Sequence, residues 1–162
     1  MKRKKGKSPY LTGHRLADVL AAIQCLGTYK QYKRDFASWS DRICGDKAKA
    51  DHWKAVFEQH PEFFRIDSTK TKVSLVWRRQ YPKRYDVKLG RVLTTEEYAA
   101  LSSDETRPLS RVALGSDDIQ ALLRTAIDLH ARALEHERER RWWLPMATAG
   151  AALIGSLAGS AF

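Results

Sequence analysis

Apolar positions along the chain fall into three short helical phases followed by two β-rich runs. Leu16, Val19, Leu20, Ile23 and Leu26 recur by threes and fours, and Gly27 follows where a C-cap glycine belongs, so the spacing predicts a first amphipathic helix. Asp35 is placed to cap a second helix that carries Phe36, Trp39 and Ile43 on one face and ends at Gly45. Asp46 can cap a third, turning Ala50, Trp53 and Phe57 inward and stopping before Pro61. Phe63 to Ile66 and Val73 to Trp77 are β-rich, and the polar run from Asp67 to Lys72 between them predicts a hairpin. Leu20, Trp39, Trp53, Phe57, Phe63 and Trp77 are the expected core.

Beyond the hairpin, Thr94 to Glu97 has capping-box spacing ahead of Tyr98 and Leu101, which predicts a short fourth helix. Ser102 to Arg111 is polar and contains Pro108, which suits a linker over 102–115. From Ser116 or Asp117 a long helix begins, and Ile119, Leu122, Ala126, Leu129 and Ala133 form a heptad-like seam. The seam fits packing on the domain or contact with another helix, and self-association is the reading preferred here.

The chain then loses its charge. Trp142 to Phe162 contains no Asp, Glu, Lys or Arg, and Leu144 to Phe162, 19 residues, would span roughly 28 Å as a helix. Arg138, Arg140 and Arg141 stand where a cytoplasmic flank is positive, and Trp142 and Trp143 where aromatic rings settle at the headgroups. A single C-terminal membrane anchor, with the N-terminal domain cytoplasmic, is therefore expected; a tail packed in a soluble assembly is the other reading. Small residues dominate the segment, and Ala151, Gly155 and Gly159 share one face as part of a GxxxG, a surface that lets two helices approach in lipid. A homo-oligomer follows as an expectation.

Charge is unevenly divided. Residues 1–92 hold 22 Lys and Arg against 9 Asp and Glu, a net of +13, while residues 93–162 hold 7 against 10, a net of −3. The basic half attracts phosphate, whether of nucleic acid or of an anionic leaflet. Residues 1–13 read as a basic disordered arm, because the stretch after Lys7 carries His14, Arg15 and Asp18 and so lacks the apolar core of a signal peptide. The remaining divisions are a domain over 14–101, the linker at 102–115, a stalk helix over 116–141 and the anchor at 142–162. Cys25 and Cys44 have no metal-binding spacing and are expected as buried free thiols.

The order helix, helix, helix, hairpin, with Trp53-Lys-Ala-Val-Phe-Glu-Gln-His-Pro-Glu-Phe-Phe64 as the passage from third helix to wing, resembles the winged-helix fold over residues 14–80. The resemblance implies a third helix that can enter a DNA groove and a wing that touches the backbone, although many members bind proteins. With Trp53 and Phe57 inward, the third helix turns Ala48, His52, Ala55 and Gln59 outward, with Lys47, Lys49 and Lys54 at the borders. That line is not basic, and only Gln59 and His52 suit base edges. It serves better as a partner-docking face. Lys70 and Lys72 on the wing, surrounded by Arg65, Arg78, Arg79, Lys83 and Arg84, make the better phosphate surface.

No signature of chemistry emerges. His14, His52, His60, His130 and His136 lack zinc spacing with a third ligand, and no glycine-rich phosphate loop is present, so no metal, cofactor or enzymatic activity is expected. The fold class expected is mainly α with a small β-hairpin, a winged-helix-like domain followed by a long amphipathic helix and a transmembrane helix. The function expected is a membrane-anchored adaptor that binds DNA through its phosphates, or a protein partner; an oligomeric effector that perturbs the bilayer is the alternative.

Overall fold

The computed structural model describes residues 8–158, with side chains as far as Arg141. Residues 1–7 of the basic arm and Gly159 of the GxxxG lie outside the described residues, as do 160–162. The fold is mainly helical with two small antiparallel sheets. Its elements are α1 (Arg15–Thr28), β1 (Lys33–Asp35), α2 (Phe36–Cys44), α3 (Ala50–Gln59), β2 (Phe64–Ile66), β3 (Lys72–Leu75), β4 (Tyr85–Asp86), β5 (Arg91–Val92), α4 (Thr95–Ala99), α5 (Ser103–Thr106) and α6 (Ser116–Ala158).

Local signals act as their chemistry dictates. The Asp35 side chain accepts the N–H of Ser38 at the start of α2, and Gly45 ends that helix in the left-handed region at φ 73°. Asp46 caps a single 3-10 turn, Lys47–Lys49, which leads into α3. Thr94 and Ser102 each form a complete capping box, with Glu97 and Glu105, so two helices of only a few residues are held by their first-turn donors. In the β2–β3 turn the Asp67 carboxylate accepts the N–H groups of Thr71 and Lys72, with Lys70 left-handed at φ 56°.

The hairpin becomes a three-stranded sheet in the order β1-β3-β2, because Lys33–Asp35 pairs with the free side of β3. Phe64 faces Leu75 and Ile66 faces Val73 across β2 and β3. The sheet closes one end of the core formed by Val19, Ile23 and Leu26 of α1, Trp39 of α2, and Trp53, Val56 and Phe57 of α3. Trp39 buries its ring completely and still satisfies its indole N–H, which donates to Val73 O at 3.1 Å. Trp77 departs from expectation. β3 stops at Leu75, a 3-10 turn begins, and Trp77 is left 40% exposed.

That turn buries Arg78 instead. Its side chain is fully enclosed, donating to Val112 O (3.0 Å), Leu26 O (2.9 Å), Arg111 O (2.8 Å) and Tyr29 O. One guanidinium thus ties the end of α1 and the loop after it to residues 111–112. Burial pushes its pKa down to about 10, which leaves it charged at neutral pH.

The expected linker, 102–115, is structural. Leu109 and Leu114 are buried, Ser110 bridges to Tyr85, and Leu114 N–H donates to Gly27 O at 3.0 Å. The basic arm is also shorter than expected: Tyr10 is buried, its ring against His60 and His130, and its hydroxyl donates to Glu62 at 2.7 Å.

The stalk seam is occupied within the chain. Ile119, Leu122 and Ala126 are buried against the domain and Leu129 and Ala133 pack half-buried at its margin, so the first three belong to the chain's own core. Burying each large side chain contributes about 1.5–3 kcal/mol, which makes the first turns of α6 part of the domain. Gly27 lies inside α1, not beyond it, and is buried where α6 crosses. From Leu134 to Arg141 the helix is exposed except at half-buried Glu137, which pairs with Arg140 and Arg141. Ala151 and Gly155 fall on the same continuous helix backbone. Among the described residues no helix is long and apolar enough to cross a membrane.

Candidate anion-binding cleft

The loop between α1 and β1 and the extended segment before α6 lie side by side, because Tyr32 N–H donates to Ser110 Oγ at 3.0 Å. Their outer surfaces, with Lys72 at the start of β3 and Lys83, enclose an open cleft of about 410 Å³. Lys33, Arg34, Lys72, Lys83 and Arg107 line it, against one carboxylate, Asp35. That carboxylate is committed: it accepts both Ser38 N–H (2.8 Å) and Ser38 Oγ–H (2.7 Å). Burial works against its charge, but these bonds and nearby Arg34 outweigh it and hold the carboxyl below its ordinary range. The field in the cleft is therefore positive at neutral pH.

The cations are held to different degrees. Lys83 Nζ donates to the carbonyls of Thr106 and Arg107, both at 2.9 Å, so its charge is fixed in place. The Arg34 guanidinium lies 5.3 Å from the Tyr29 ring centre and donates to the Tyr29 hydroxyl at 3.2 Å. Lys33 pairs with Asp67 at 3.0 Å, and Arg107 with Asp104 at 3.2 Å on the open surface. Among the described residues Lys72 makes no ion pair, which leaves its ammonium the most available to an incoming anion.

Of the expected phosphate surface, the structure brings Lys72 and Lys83 into this cleft. Arg65 and Lys70 line a separate recess of about 370 Å³ beside the end of α3, shared with Glu58 and Asp67. Arg79 is exposed on the 3-10 turn, and Arg84 lies over the Tyr98 ring at 5.4 Å and donates to Thr95 Oγ1 at 3.1 Å. Arg78 cannot belong to the surface, for the burial described above. Lys47 and Lys49 are exposed on their turn, and the Lys54 ammonium sits 5.9 Å from the Phe36 ring centre. Lys33, Arg34 and Arg107 were missed. The mixed basic and aromatic run from Tyr29 to Arg34 was the available signal; Arg107, far away in sequence, had none.

Of the expected docking face, Ala48, His52 and Gln59 are exposed and Ala55 is half-buried, and His52 is already engaged. Its Nε2 lies 3.1 Å from Asp18 on α1. Gln59 is left as the one side chain of that set free to read a base edge.

A second polar cluster lies where the turn around Tyr10 meets the end of α3 and His130 of α6. His60 is buried, with Nδ1 3.0 Å from the Glu62 carboxylate that also receives the Tyr10 hydroxyl. A carboxylate only accepts, so Nδ1 carries the proton. His60 Nε2 and His130 Nδ1 are buried without partners. Among the described residues no group of three or more His, Cys, Asp or Glu is arranged to hold a metal ion. Cys25 is half-buried, whereas Cys44, expected to be buried, is exposed at the end of α2.

Comparison with protein-family models, with characterised proteins and with solved structures finds no match for this chain.

Proposed function

We propose that the chain is a membrane-anchored, non-enzymatic adaptor whose basic winged-helix-like domain binds nucleic acid through the phosphate backbone. The observation that carries this reading is the cleft of five cations facing one carboxylate already consumed as a helix cap. The order of three helices and a wing, with β1 joined to the hairpin, supports the winged-helix part. The commitment of His52 to Asp18 favours backbone contact over base reading by α3. Support for the anchor comes from the uncharged run of 142–162 in the sequence, behind the basic Arg138 to Arg141 flank, with 142–158 continuing the stalk helix.

The test is titration of the full-length protein in detergent onto two unrelated duplexes at two salt concentrations. Affinity should fall with salt, the logarithmic slope being about −0.9 for each phosphate neutralised. Joint replacement of Lys70 and Lys72 by Glu should weaken both duplexes equally. Absence of binding at low salt in a folded protein would remove the nucleic-acid reading. Carbonate and detergent fractionation of expressing cells tests the anchor separately, and release by carbonate would remove it.

A further inference from the structure

The basic cleft does not end at its own walls. A second cavity of about 720 Å³ adjoins it, and Gln31, Val87, Pro108 and Leu109 line both. Each chamber is of the size in which small ligands bind. Their chemistry differs. The first carries five cations against one carboxylate, while the second is walled by Val87, Leu89, Leu93, Leu101, Leu109 and Pro108 and carries two cations against three carboxylates.

Those three carboxylates are held by the chain itself. Asp86 accepts the N–H groups of Lys88 and Leu89, Glu97 pairs with Arg91 at 2.6 Å and accepts Thr94 N–H, and Glu105 accepts Ser102 N–H. They repel a second anion from this chamber, and their remaining lone pairs suit amino hydrogens. A long acyl chain would meet carboxylates along its path and gain nothing from them. A flat, uncharged, hydrogen-bonding ring fits both the apolar walls and the acidic rim.

We propose that the paired chambers bind a nucleoside phosphate, with its phosphates against Lys33, Lys72 and Arg107 and its base between Val87, Leu101 and Leu109. The proposal rests on the reading of the cleft as a phosphate site and adds the base chamber. Two sources supply this chemistry, a free nucleotide and an unstacked nucleotide of a strand. The expressed charge asymmetry orients the ligand one way: phosphate toward β1, base toward β4 and β5.

The test uses the full-length protein in detergent micelles. Probes are the four common ribonucleoside triphosphates, inorganic pyrophosphate, a single-stranded oligonucleotide and a blunt duplex. At least one triphosphate should bind about tenfold more tightly than pyrophosphate, because only it fills the second chamber. Arg107→Glu should weaken both. Leu89→Glu, at a position 62% exposed and so compatible with folding, should weaken the nucleotide about fivefold or more and leave pyrophosphate and duplex binding unchanged. Competition by the single strand assigns the nucleotide to a strand, and failure to compete assigns it to a free ligand; both support the site. Equal affinity for pyrophosphate and all four nucleotides, or no nucleotide binding by a protein with intact circular dichroism, would overturn it. Duplex binding without nucleotide discrimination defeats this proposal alone, and nucleotide binding without duplex binding defeats only the adaptor reading.

Discussion

Gly27 of α1 and Ile119 of α6 meet so closely that the space a β-carbon would need at Gly27 is filled by Ile119 Cδ1. The close contact is with that terminal methyl alone, since Leu114 Cδ1 and Ile119 Cγ1 lie at ordinary distances of 3.6 and 3.7 Å, so Ile119 must change rotamer within a buried site to make room. Gly27→Ala should therefore destabilise by about 1–3 kcal/mol from overpacking, despite alanine's better helix propensity. Ile119→Val removes the clashing methyl, so the double variant should be more stable than the two single losses predict. Chemical denaturation of all four proteins gives the coupling energy; strict additivity would mean that the helices shift freely.

Arg78 is an internal brace rather than a phosphate contact. Replacement by Met or Lys leaves several buried carbonyls without donors and should cost roughly 3–5 kcal/mol, since neither side chain supplies a five-donor fork. Urea midpoints measure the loss. A mild effect on stability combined with a large loss of nucleic-acid affinity would return Arg78 to the surface.

Tyr10 and His60 both donate to Glu62. Burial opposes charge on that carboxyl, and the two hydrogen bonds outweigh it, so its pKa lies below the ordinary value. A depressed carboxyl stabilises the fold above its unfolded-state pKa, and the contribution disappears as pH falls through the folded value. Tyr10→Phe should cost about 1 kcal/mol at neutral pH, and the gap from the unmodified protein should narrow in acid, below the ordinary carboxyl range. Denaturant titrations at neutral pH and in acid decide it; a constant gap would show that Glu62 ionisation is not involved.

The two thiols should differ in reactivity. Burial raises Cys25 to about 11. At exposed Cys44 slight burial is outweighed by the Trp53 indole N–H at 3.4 Å, other hydrogen bonds and nearby Lys49, which lower its pKa. Maleimide at neutral pH should label Cys44 on the order of tenfold faster or more, because the thiolate is the nucleophile. Mass spectrometry of timed samples reads this, and equal labelling would mean that α1 opens readily.

Deleting 142–162 should leave a cooperative fold, since among the described side chains the buried positions of α6 end at Ala126, with margin contacts to Ala133. Cutting back to residue 115 should instead destabilise strongly, by the combined burial of Ile119, Leu122 and Ala126 at about 1.5–3 kcal/mol for each large side chain. Thermal unfolding separates the two truncations. Equal stability of both would make α6 an appendage.

The phosphate surface was partly legible. Lys72 and Lys83 were found as charges flanking a wing, because exposure of lysine is the usual state and sequence proximity sufficed. Arg107 joins them through the Tyr85–Ser110 bridge, the Tyr32–Ser110 hydrogen bond and the Lys83 bonds to the Thr106 and Arg107 carbonyls, long-range contacts that no local pattern encodes. Arg78 was misread for a related reason: arginine beside arginine reads as surface, and its burial depends on carbonyls supplied by two distant segments, 26–29 and 111–112.

By itself the sequence determined what short-range forces decide: helix caps at Asp35, Thr94 and Gly45, the apolar faces of three helices, the polar turn at Asp67, and the end of charge at Arg141. Those features depend on residues within a few positions of one another, where backbone donors and side-chain periodicity act directly. Tertiary structure alone decided that Gly27 is a crossing point, that residues 102–115 form a wall, and that the seam from Ile119 faces its own domain. An amphipathic helix specifies that a face must be buried, but not against what. The choice belongs to shape and to long-range hydrogen bonds such as Leu114 to Gly27, which become available only when the chain has come together.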